Sequence, residues 1–70
     1  MAPTIDLITI GDELLLGLTR NGHLTYLGEQ LAFRGAAINR NIVCRDEAGE
    51  IRANFELAWN EADIVITTGG

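Results

Sequence analysis

Ile64-Val65-Ile66-Thr67-Thr68-Gly69-Gly70 closes the 70-residue chain and decides its fold. Three β-branched apolar residues run into two hydroxyls and two glycines. That is the pattern of a buried parallel strand feeding a turn of phosphate-binding character. Such a turn normally opens a helix, so the sequence predicts a site that starts at Thr67-Thr68-Gly69-Gly70 and a domain cut short there.

Working outward from this strand, the stretch before it carries the clearest periodicity in the chain. Ala48, Ile51, Phe55, Ala58, Trp59 and Ala62 share one helical stripe, which predicts that Trp59 packs in the core. Asp46 and Glu47 stand at the start of that helix, where negative charge suits its dipole, and Asp46 has a reading as its N-cap. Upstream, Ala36 to Cys44 reads as a strand, and the polar Asn39, Arg40 and Asn41 suit a sheet edge. An earlier helix is expected from Asn21, its N-cap, to Arg34, with Gly35 as a left-handed C-cap glycine. Gly28 lies on its apolar face, and close approach to the sheet would account for a glycine there. Ile5-Asp6-Leu7-Ile8-Thr9-Ile10 reads as a central parallel strand ended by Gly11.

The order is β-α-β-α-β, the signature of a parallel α/β sheet. Right-handed connections and strands apolar on both sides favour strand order 2-1-3, with the helices on opposite faces in a three-layer α/β/α arrangement. In that order the chain direction reverses between strands 1 and 3, and a crevice opens at their carboxyl ends. Gly11-Asp12-Glu13 and Thr67-Thr68-Gly69-Gly70 are then expected to face each other across it.

Composition narrows the function classes. Five arginines and no lysine stand against ten acidic residues, a net charge of −5. That argues against nucleic acid or an anionic membrane as the main partner. It leaves room for a nucleotide held by backbone N–H groups. The single cysteine, Cys44, forms no internal disulfide and no metal-type cysteine cluster, and reads as a small apolar filler. No basic-then-apolar leader is visible, and the apolar runs fall far short of the roughly 18 residues that span a bilayer. A cytoplasmic protein is expected. The apolar edge of strand 3 predicts self-association, with a homo-oligomer expected, or else poor solubility.

Thr67, Thr68, Gly69 and Gly70 suit an anion, through hydroxyl donors and close backbone approach. Asp12, Glu13 and Asp46 are candidate ligands for a divalent ion that bridges to a ligand phosphate, since Mg²⁺ takes one or two carboxylates plus substrate oxygens. Their other readings are a turn cap for Asp12, a solvated side chain for Glu13 and a helix cap for Asp46. Asn21 is a cap first and a ligand second, and His23 in the first helical turn reads as a surface residue before a catalyst. The arginines read as scattered solvated charge, with Arg20 and Arg45 placed to lean over the cleft.

Ile10-Gly11-Asp12-Glu13-Leu14-Leu15-Leu16-Gly17, followed by Asn21 and Leu27, resembles the opening of the MoaB/MogA-type, molybdopterin-binding domain. The resemblance is nearest to the N-terminal domain of CinA-like proteins. Val43-x-x-Asp46, Ile51-Arg52 and Ala62-Asp63-Ile64-Val65-Ile66-Thr67-Thr68-Gly69-Gly70 continue the match over residues 1–70. It implies a cleft that binds molybdopterin or a nucleotide, with Asp12, Asp46, Thr68, Gly69 and Gly70 at the family's ligand-lining positions; the residues themselves add Gly11, Asn21 and Thr67 as expected ligand contacts. In the CinA-like branch it further implies hydrolysis of a nucleotide pyrophosphate of the ADP-ribose type, with Asp12 catalytic and a divalent metal on Asp12, Glu13 and Asp46. In the molybdenum-cofactor branch it implies binding and adenylylation of molybdopterin. An inactive truncated fragment is the remaining alternative. The chain departs from the family at Asn21-Gly22-His23, where Asn-Thr-Asn is common, and at Arg45, where many members have glycine.

Overall fold

A computed structural model describes residues 3–69; Gly70, one of the expected ligand contacts, lies outside them. The elements are β1 (Ile5–Ile10), α1 (Asp12–Leu15), α2 (Gly22–Phe33), β2 (Ile38–Cys44), α3 (Ala48–Glu61) and β3 (Ile64–Gly69). The strands form one parallel sheet in the order β2-β1-β3, as the sequence predicts. The one-turn α1 is additional to the expected elements. Among the described residues no helix is long and apolar enough to cross a membrane.

β1 is central and nearly sealed. Ile5, Asp6, Leu7, Ile8 and Thr9 are each at most 4% exposed. Alternation along the strands sorts the sheet into two faces. Ile8, Cys44 and Ala58 form the core on the α3 side, with Ile10, Ile42, Ile51 and Val65 packed around them. Leu7, Thr9 and Asn41 share the other face, where α2 begins.

The helix ends follow local chemistry. Asn21 Oδ1 accepts the Leu24 N–H at 3.2 Å and caps α2. At the other end Gly35 has φ +72°, and the Ala36 and Gly35 amides donate to the Leu31 and Ala32 carbonyls. This is the paired bonding of a Schellman cap, in which the left-handed residue carries no Cβ penalty when it is glycine. Gly28 departs from expectation: a Cβ there would meet nothing within 4 Å, so close approach to the sheet is not its reason.

α3 is capped by Glu47, not Asp46. The Glu47 carboxylate accepts the Gly49 and Glu50 amides at 2.8 and 2.9 Å, and those bonds hold its pKa below the ordinary carboxylate value. Trp59 departs from the expected core stripe. It is 66% exposed and stacks on Phe55 at a centroid distance of 5.5 Å. Ala58 takes the buried position because the smallest side chain on that stripe lets α3 settle onto Ile8 and Cys44.

β1 also holds a buried charge that its apolar pattern hides. Asp6 is fully buried, and the register slips between Ile5 and Asp6, pairing Ile5 with Ile38 but Asp6 with Arg40. Asn39 is the extra residue of this bulge. The slip sets Arg40 beside Asp6 at 2.7 Å, with Asn39 Nδ2 on the other carboxylate oxygen at 3.1 Å. Arg40 also reaches Glu61 at 2.9 Å. It is therefore a half-buried partner of the buried Asp6 and not free solvated charge. The hydrogen bond to Asp6 is the main reason that its guanidinium pKa lies above the usual value.

Candidate functional site

The carboxyl ends of β1 and β3 open into a cleft of about 220 Å³. Thr9 and Ile10 line it from β1, Gly69 from β3, Glu13 and Leu14 from α1, and Thr19 to His23 from the entry into α2. The expected crevice is therefore present, with the acidic turn on one wall and the end of β3 on another. At this size it is smaller than a drug-sized pocket of roughly 300–1,000 Å³ and suits one moiety of a larger ligand.

One side-chain relay fixes the cleft to the sheet. Asn41 Nδ2 donates to the Leu7 carbonyl and to Thr9 Oγ1, both at 3.0 Å. Its Oδ1 accepts from Asn21 Nδ2 at 2.8 Å. Asn21 has thereby committed both side-chain ends, one to Asn41 and one to the Leu24 amide. Its observed work is to position the start of α2 over the end of β1.

The expected site residues divide into two groups. Glu13 and Gly69 line the cleft together with Asn21. Asp12 and Asp46 meet elsewhere: Asp12 Oδ1 accepts the Asp46 amide at 3.1 Å, tying α1 to the turn before α3. Gly11 is buried, and its amide donates to the Cys44 carbonyl at 3.0 Å. Among the described residues no three His, Cys, Asp or Glu side chains converge where a metal ion could sit. Asp12 thus faces the Asp46 amide while Glu13 lines the cleft, and the three carboxylates form no single cluster among the described residues.

Thr67 and Thr68 belong to β3 and not to a turn beyond it. Thr68 pairs in register with Thr9 and shares its face. Its Oγ1 is buried with no hydrogen-bond partner among the described residues. Buried hydroxyls are nearly always satisfied, so an orphan beside Thr9 marks a place for a further polar group. Gly69 has φ +91°, and a Cβ there would collide with the Ile10 carbonyl oxygen. Glycine is needed at this position so that β3 can close against β1.

Of the two arginines expected over the cleft, only Arg20 lines it. Arg45 instead pairs with Glu50 at 2.8 Å. Cys44 is 2% exposed; burial first, then Glu50 and Asp46, pushes its thiol pKa up, so it stays protonated and is no nucleophile. Sequence reasoning missed Thr9, Thr19 and Asn41. The available signal was polarity at Thr9, inside a strand that otherwise reads as core, and at Asn41, whose polarity also suits a sheet edge.

A parallel sheet with order 2-1-3 and a cleft at its switch point defines an open α/β domain, the architecture in which ligands bind at that position. Residues 6–70 match the family described as "Probable molybdopterin binding domain", and the chain belongs to that family. It is 42% identical over 66 residues to a CinA-like protein of Gemmatimonas aurantiaca, covering 94% of this chain and 15% of that protein. It is 40% identical over 65 residues to a CinA-like protein of Frankia casuarinae, covering 93% of this chain and 15% of that one. Among solved structures it is similar to the protein CinA of Thermoplasma acidophilum, described as of unknown function. That likeness has a TM-score of 0.87 at 32% identity and covers 97% of this chain and 40% of the other. The chain thus spans about a seventh of the length of the two CinA-like relatives.

Proposed function

We propose that the chain binds a small heterocyclic ligand, a pterin or a nucleotide, in the cleft between the ends of β1 and β3. The observation that carries this reading is the cleft itself, which lies at the point where chain direction reverses in an open parallel sheet. Glu13 faces hydrogen-bond donors of the ligand, and Thr9, Thr19 and the first turn of α2 supply polar groups around it. The unpartnered Thr68 hydroxyl stands on the same face and is a candidate contact. Asp12 and Asp46 support the site from behind, by joining α1 to the turn before α3.

Binding of this kind is common to pyrophosphate hydrolysis with a divalent metal and to adenylylation of molybdopterin, the two activities that the resemblance implies.

Calorimetric titration with AMP, ADP-ribose and neopterin tests the proposal. Saturable binding of one or more is expected. Thr68→Val is expected to weaken that binding without lowering thermal stability, because the hydroxyl it removes has no protein partner. Absence of binding by all three at millimolar concentration would contradict the proposal.

A further inference from the structure

Four of the five arginines are engaged among the described residues. Arg34 donates to the Gln30 carbonyl, Arg40 pairs with Asp6 and Glu61, Arg45 with Glu50, and Arg52 with Glu56. Arg20 has no side-chain partner among those residues, and it is the arginine that lines the cleft. Its neighbours are similarly uncommitted. The His23 amide, second in α2, has no acceptor among the described residues, whereas the Gly22 amide is bonded to the Arg20 carbonyl and the Leu24 amide to Asn21. The Thr19 hydroxyl likewise has no hydrogen-bond partner among the described residues.

We infer that Arg20 determines the specificity of the cleft, selecting ligands that carry a phosphomonoester over the same ligands without it. The inference rests on the small-molecule reading above. A guanidinium binds a phosphate through two parallel hydrogen bonds, a geometry that a hydroxyl or an amide does not offer. The charge balance makes the residue decisive. The whole chain is net −5, so no general field draws an anion in. Within the cleft the formally charged side chains are Arg20 and Glu13, with His23 taken as neutral. Removing the arginine leaves Glu13 alone, and the cleft turns from balanced to repelling. Glu13 and Arg20 together suit a ligand with donor groups at one end and a phosphate at the other.

The test uses two ligand pairs, adenosine with AMP and neopterin with neopterin monophosphate, titrated into the parent chain, Arg20→Gln and Arg20→Lys. For a pair that binds, the parent is expected to prefer the phosphorylated member by about tenfold or more, the range for a hydrogen bond to a charged group. Arg20→Gln is expected to bring that ratio close to one, chiefly by weakening the phosphorylated member. Arg20→Lys is expected to fall between. Unchanged melting of the variants checks that the fold is intact, as an exposed side chain without partners predicts. Equal binding of both members by the parent, or a preference that survives Arg20→Gln, would overturn the inference and leave the small-molecule reading standing. Failure of every compound to bind would overturn that reading and the inference with it.

Discussion

The two faces of the sheet are built on opposite plans. On the α3 face, Ile8, Cys44 and Ala58 are sealed and surrounded by Ile10, Ile42, Ile51 and Val65. Hydrophobic burial holds α3 there, and Ala58 is its fully buried point of contact. On the α2 face, no α2 residue is buried, although the helix carries Leu24, Leu27 and Leu31. Its entry is held instead by hydrogen bonds running from Asn21 through Asn41 to Thr9 and the Leu7 carbonyl. The α2 face also buries Leu7 and Thr9 of β1, but its amide stitching adds polar groups at fixed positions, and the cleft opens on that side at the chain's entry into α2.

Substitutions on each face separate these roles. Ile8→Ala strikes the dry face and should cost about 2–5 kcal/mol in a denaturant titration, through lost transfer energy and the cavity left behind. Asn41→Ala strikes the stitched face. It should cost about 1–3 kcal/mol, because it leaves the Thr9 and Asn21 side chains short of a partner. It should also weaken ligand binding, which Ile8→Ala at a concentration of intact fold should not. A smaller effect is expected from pH at the α3 cap. Glu47 has a lowered pKa in the folded chain, so its stabilisation is complete above the ordinary carboxylate value of about 4.3. That contribution is lost as pH falls below this value and through the folded pKa. Glu47→Gln should flatten that part of the stability–pH profile. Phe33→Ser should do least. Phe33 is 85% exposed at the end of α2, and its loss should stay within about 0.5 kcal/mol if that helix is held by its polar ties.

Much of this was legible in the sequence. Parallel strands announce themselves by apolar runs, and the choice of order 2-1-3 followed from apolarity on both sides of each strand. The caps at Asn21 and Gly35 were equally readable, since both depend on residues within one helical turn. Several failures depended on a neighbour distant in sequence, whereas the α3 cap at Glu47 and the Arg45–Glu50 pair were local. Asp6 and Arg40 are 34 positions apart and meet only because a one-residue bulge shifts the register. Trp59 fell on a stripe that periodicity assigned to the core, but the stripe is wider than the surface α3 covers. Asp12, Glu13 and Asp46 clustered in the reading because all follow strand ends. In the structure Asp12 turns to the Asp46 amide, while Glu13 lines the cleft. The cleft was legible as a place. Its lining at Thr9, Thr19 and Arg20 was not fully so, because those side chains gain meaning only from which other groups are already bonded.

Amide-resolved NMR titration of the chain with AMP tests the central claim most directly. The account predicts saturable shift changes centred on Thr9, Glu13, Thr19, Arg20, His23 and Gly69, with the α3 amides from Ile51 to Ala58 unmoved. Changes centred on α3, or on the Glu29–Phe33 end of α2, would contradict it.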